Sequence, residues 1–230
     1  MPEINLADML LWYVAFLFSV TAHEAAHAFV AMKGGDLTAY RGGQVSLNPL
    51  PHIKRSPFGT VLIPIISYAY GGWMIGWASA PYDPYWAIRH PRRASLMAAA
   101  GPTANLLIFL AALLLIKAGL FAGLFRPPQP GQLKLTALIV SESGVWIGVA
   151  KLLSILFVLN LILFLFNLFP FPPLDGSGVV TLLMPQMVAF KFTRFVSQPM
   201  YSLLGLILAW RLFGYVFQGA FSYAFRLIYP

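Results

Sequence analysis

The hydrophobic positions of this chain fall in runs long enough to cross a bilayer, not in the short alternations of a water-facing surface. Residues 9–32 form the first run, and Lys33 with the pair Gly34-Gly35 closes it, so the pattern predicts one spanning helix. Residues 36–56, DLTAYRGGQVSLNPLPHIKRS, are polar and rich in turn formers. The partial alternation in LTAYRGGQVSL predicts short strands and loops at the membrane surface. Residues 57–80 are apolar again but broken by Pro64 and Gly71-Gly72. Further clear spans cover about 95–122, a stretch from about 146, and about 199–225.

Composition strengthens this picture, since 59% of the 230 residues are hydrophobic and only 10% are charged. The formal net charge of +8 does not indicate nucleic acid, because the bases gather in short loops between apolar runs. Charge also places residues 57–80. If they crossed the membrane, Arg89, Arg92 and Arg93 would lie opposite Lys33, Arg41, Lys54 and Arg55, against the tendency of bases to collect on one face. A hairpin that dips in and returns keeps them together. The expected fold is therefore an all-α polytopic membrane protein with about four spanning helices, plus a re-entrant or surface segment with short strands near 36–80. It forms a single domain over 1–230, with the 34–94 and 185–198 loops facing the cytoplasm and the N-terminus outside. Glu3 and Asp8, not bases, precede the first run, so it does not read as a removable signal peptide.

The first run contains TAHEAAHA, an unusual content for a membrane span. On a helix His23 and His27 share one face, and Glu24 sits about 100° around from His23. That is the H-E-x-x-H arrangement of zinc-dependent hydrolases: two ligands, and a carboxylate able to reach the activated water. Ionisable groups at membrane depth are costly and mark function. A catalytic zinc site takes a third protein ligand, and without cysteine the choice narrows to the remaining acids and histidines. Asp175 is the best of them, because NLFPFPPLDG places it after three prolines that disrupt a helix inside an apolar run. His52 and His90 lie in basic polar loops and read as solvated, with His52 kept as a candidate neighbour of the active site. A metal-ion carrier could also place His and Asp residues in the membrane beside a broken helix.

HEAAH in the first span, GPTAN (Gly101 to Asn105) in the second and NLFPFPPLDG in the third resemble, in order and character, the site-2 protease family of intramembrane zinc metalloproteases. GGQVSLNPLPHI is similar to the short bacterial and archaeal members without an added regulatory domain. The resemblance covers about 10–185, the implied catalytic core, with 199–225 as an additional helix. It implies that His23, His27 and Asp175 bind one Zn2+ per chain and that Glu24 is the general base and acid. Asn105 and Asn167 would lie near the site, where an amide could orient substrate or stabilise the oxyanion. It further implies regulated intramembrane proteolysis of a transmembrane protein substrate in the lipid bilayer of a prokaryotic plasma membrane, with the active site nearer the cytoplasmic face. One departure stands out: relatives often carry an acid soon after the histidine of NPLPHI, where this chain has His52-Ile53-Lys54-Arg55.

Overall fold

In the computed structural model, residues 5–196 and 198–229 are described; Glu3 lies outside them. Four helices are long and apolar enough to cross a membrane: α1 (Leu6–Lys33), α6 (Pro91–Phe121), α7 (Gly144–Asn167) and α10 (Pro199–Ile228). The remaining helices are short: α2 (Thr38–Arg41), α3 (Pro49–Arg55), α4 (Ile63–Gly71), α5 (Pro84–Arg89), α8 (Asp175–Val179) and α9 (Gln186–Val196).

Cross-helix bonds fix the directions. Lys151 Nζ donates to Asp8 Oδ1 (2.6 Å) and Asn160 Nδ2 to Ser19 Oγ (2.9 Å), so α1 and α7 run parallel. His27 bonds Met97 and Arg93 reaches Gly34, so α6 runs antiparallel to α1. Phe213 packs on Phe166 and Phe169, while Ala224 and Ile228 join Ile116 and Leu138 in the main core, so α10 runs antiparallel to α7. The largest apolar cluster, around Phe109, Ile116, Phe157 and Val158, occupies the end of the bundle away from Lys33. The bundle is thus filled with apolar side chains at one end, and the buried His23, Glu24 and His27 lie toward the other.

Segment 57–80 returns to the face it left. A π-helical stretch, Phe58–Leu62, runs straight into α4, giving 14 apolar helical residues, about 21 Å at 1.5 Å per residue and too short for a hydrocarbon layer of about 30 Å. The chain then turns at Gly72 (φ 70°) and comes back, with Ile75 N donating to Ser67 Oγ (2.9 Å) and Trp77 N to Gly59 O (3.0 Å). Further on, Gln44 Nε2 donates to Ser79 O, and Trp86 Nε1 and Arg93 Nη1 both donate to the terminal carbonyl of Gly34. Lys33, Arg41, Lys54, Arg55, Arg89, Arg92 and Arg93 therefore share one end of the bundle.

The short strands expected near 36–80 do not form; among the described residues that segment holds helical turns and irregular chain. The reason is local. Pro49 and Pro51 have no N–H for a ladder, and Asn48 Oδ1 accepts from Leu50 N, so NPLP starts α3 instead of extending a strand. Among the described residues the isolated bridges lie elsewhere, Arg126 with Val140 and Lys134 with Ala137.

Asp36 clamps this end. Its Oδ1 accepts from Thr38 N (2.9 Å) and Thr38 Oγ1 (2.5 Å), and its Oδ2 from Asp83 N (2.8 Å). Burial alone would raise the carboxyl, but these three donors outweigh it and hold Asp36 below the usual carboxylate value. A lowered folded-state value stabilises the fold above the unfolded value, near 4, and the gain is lost as pH falls through the folded one. Asp36→Asn should accordingly melt at a lower temperature than wild type at pH 7, since its amide N–H would face Asp83 N–H, and the gap should narrow below about pH 4. A gap unchanged with pH would show that the clamp acts through shape and not through the carboxylate charge.

Candidate metal centre

α1 carries both histidines one turn apart, and Ser19, Thr21, His23, Glu24 and His27 are all buried there. α6 crosses them at Gly101, where a Cβ would collide with Nε2 of both rings, so bare backbone is required. The next residue, Pro102, sits inside α6 and cannot donate to Ala98 O. α7 ends at Asn167, and Leu168 to Leu174 wind irregularly to the start of α8 at Asp175. Gly176 makes this reversal feasible, because a Cβ there would strike Leu168 O and Phe169 O. The prolines thus stop α7, and the glycine lets the chain fold back tightly enough to bring Asp175 to α1.

The result is a compact triangle of ligand atoms. His23 Nε2 lies 3.0 Å from His27 Nε2, and Asp175 Oδ2 lies 3.0 Å and 3.3 Å from these two nitrogens. Two ligands of a tetrahedral zinc, each about 2.1 Å from the ion, stand about 3.4 Å apart. The triangle is close to that size.

Hydrogen bonding at the far side of each ring explains the chemistry of the set. His27 Nδ1 donates to Met97 O (2.7 Å), and a carbonyl can only accept. His23 Nδ1 donates to Asn105 Oδ1 (2.6 Å). With the proton on Nδ1, each ring would direct an Nε2 lone pair inward, and Asp175 Oδ2 is buried without a hydrogen bond of its own. Three lone-pair donors facing one another repel unless a cation lies among them, so the residues fit a metal ion.

Of the other residues singled out from the sequence, Glu24 sits beside the triangle on α1, nine-tenths buried and with no side-chain hydrogen bond among the described residues. Asn105 is fully buried, and both ends of its amide are taken: Oδ1 by His23, Nδ2 by Asn160 Oδ1 (2.8 Å) and Ser19 O (3.3 Å). It is thereby placed to orient a ligand, with no free donor for a substrate or an oxyanion. Asn167 closes α7 and spends an N–H on Leu163 O of its own helix (3.0 Å). His52 is not solvated as its loop suggested: it is buried in α3, its Nε2 bonded to Ser46 O (3.1 Å), and it is not part of the cluster. Ser19 and Asn160 were missed, although a lone asparagine within LFVLNLILF is a polar group at membrane depth and was itself a signal.

Comparison with known proteins agrees with this geometry. Residues 11–209 match the family described as Peptidase family M50. The chain is 36% identical over 182 residues to "Putative zinc metalloprotease YwhC" of Bacillus subtilis (strain 168), covering 79% of this chain and 72% of that protein. It is 32% identical over 179 residues to "Putative zinc metalloprotease Rip2" of Mycolicibacterium smegmatis, covering 78% of this chain and 59% of that one. No solved structure matches the chain. With the match running through all four elements of the site, the chain belongs to peptidase family M50, the site-2 proteases, and is a multi-pass membrane zinc metalloprotease.

Proposed function

We propose that this protease hydrolyses peptide bonds within or beside transmembrane segments of other membrane proteins, in regulated intramembrane proteolysis, with His23, His27 and Asp175 as zinc ligands and Glu24 as general base and acid. The observation that carries the reading is the depth of the ligand triangle. His27 and His23 lie six and ten residues from Lys33, about 9 and 15 Å along α1, inside the spanning helix and not on a loop. A substrate bond must come to that depth to be cut.

Zinc held there supplies Lewis acidity, activating water near neutral pH and polarising the scissile carbonyl. Glu24 accepts the proton of the attacking water and returns it to the departing amine. Glu24 and the two rings are buried, which shields the reacting groups from bulk solvent, and with Asp175 engaged as a ligand Glu24 is the carboxylate left to carry the proton. The substrate helix must unwind locally, because a peptide group bonded within a helix is poorly exposed to attack. Basic residues gathered around the Lys33 end orient that face to the cytoplasm of a prokaryotic plasma membrane, leaving the N-terminus outside. The catalytic core of one domain then runs about 10–185, and α10 packs on the broken segment that carries Asp175.

The test uses the full chain in liposomes with two substrates, one holding a transmembrane helix and one in which a soluble linker replaces it. Cutting inside the helix, stopped by a chelator and restored by Zn2+, is expected. Cutting of the soluble substrate alone would remove the intramembrane reading, and metal flux without any peptide cut would favour a carrier.

A further inference from the structure

The two ring histidines are held in their ligating form by different devices. For His27 a backbone carbonyl, Met97 O, suffices. For His23 the partner is an asparagine amide, whose two ends could in principle exchange and present N–H to the ring. Something must fix its polarity.

We infer that Asn160 and Ser19 are positioning residues for metal binding: they lock the Asn105 amide and thereby the tautomer of His23. The polarity can be followed from groups that can only accept. Ser19 Oγ donates to Ala15 O (2.7 Å), so toward Asn160 it must accept. Asn160 Nδ2 gives one N–H to Ser19 Oγ (2.9 Å) and the other to Leu156 O (2.9 Å). Exchange of that amide would set oxygen against the Leu156 carbonyl. Asn160 Oδ1 is therefore turned to Asn105 and accepts from its Nδ2 (2.8 Å), whose second N–H reaches Ser19 O (3.3 Å). Exchange of Asn105 would place its oxygen against two acceptors at once. Asn105 Oδ1 must face His23 Nδ1 (2.6 Å), the proton stays on Nδ1, and Nε2 keeps its lone pair for the metal.

Each residue of this relay is fully buried, so water cannot substitute for a lost partner. It also ties α1, α6 and α7 together at the level of the ligands, although neither Asn160 nor Ser19 touches Nε2 of a histidine or Asp175. The inference rests on His23 being a ligand, as proposed above.

The test measures Zn2+ affinity of the full chain in detergent by competition with a chelating dye, and the visible spectrum after loading with Co2+. Asn160→Leu, which removes the amide and leaves an apolar side chain at home in the span, should weaken Zn2+ binding about tenfold, the lower end for partners of metal ligands. It should also alter the Co2+ bands. Ser19→Ala should shift affinity in the same direction and serves if the leucine variant does not fold. Ser154→Ala is the control: its buried hydroxyl, also on α7, bonds Ala150 O and Leu138 N and no member of the relay, so it should lower the melting temperature and leave affinity unchanged. Wild-type affinity and spectrum in folded Asn160→Leu and Ser19→Ala, with binding lost in His23→Ala, would overturn the relay alone. Unchanged binding in His23→Ala would overturn the ligand assignment beneath it.

Discussion

Glu24→Gln should keep one zinc per chain and lose peptide cleavage by a factor on the order of 10²–10⁴, the usual contribution of a positioned general acid–base. Gln has the length and shape of Glu, so α1 and the two rings keep their places. The ligand triangle is built from His23, His27 and Asp175, and no side-chain bond of Glu24 supports it. What is lost is the proposed capacity to accept a proton from water, and the other carboxylate at the triangle, Asp175, is the one proposed to hold the metal. Zinc content by atomic emission and single-turnover cleavage check the two halves separately. Cleavage within a few-fold of wild type would take the proton-transfer role away from Glu24; loss of zinc would instead make it part of the metal's support.

Gly101→Ala should abolish metal binding by adding one methyl group. In an ordinary helix this exchange stabilises by about 1 kcal/mol. Here the new Cβ would collide with Nε2 of His23 and His27, the atoms that face the metal. Either the rings swing out, breaking the bonds to Asn105 and Met97, or α6 moves off α1 and widens the triangle. Each response spoils a set of three atoms now 3.0–3.3 Å apart. Overpacking of this kind costs about 1–3 kcal/mol, so the variant should also melt below wild type, reversing the sign expected from helix propensity. Zinc occupancy and thermal melting on the same preparation decide it. Full occupancy with a raised melting temperature would mean that the two helices can part freely at this crossing.

Much of this protein could be read from the sequence because a membrane punishes polar groups so heavily that each exception carries meaning. The spans near 9–32, 95–122 and 199–225 lie within or close to α1, α6 and α10, since an apolar run of that length has few other stable conformations. HEAAH set two histidines on one helical face by the 3.6-residue period alone. Asp175 stood out through elimination and through the prolines before it. The charge distribution foresaw the return of segment 57–80, because it depends only on counting bases on either side.

Strands near 36–56 were misread, since alternation of apolar and polar residues does not show whether a partner strand exists, and Pro49 and Pro51 withhold the donors one would need. His52 was misplaced because burial of a loop residue is set by what folds over it. The 3 Å convergence of Asp175 on His23 and His27, across some 150 residues of chain, depends on the close approaches at Gly101 and Gly176. The chain of amides from Ser19 through Asn160 and Asn105 to His23 was equally invisible, as it joins three helices. Composition and periodicity are local and so determined the class of the protein, its spans and the kind of chemistry; the position of His23, His27 and Asp175 and the hydrogen-bond partner of each ring are set by contacts between segments distant in sequence, and only the packed bundle decided them.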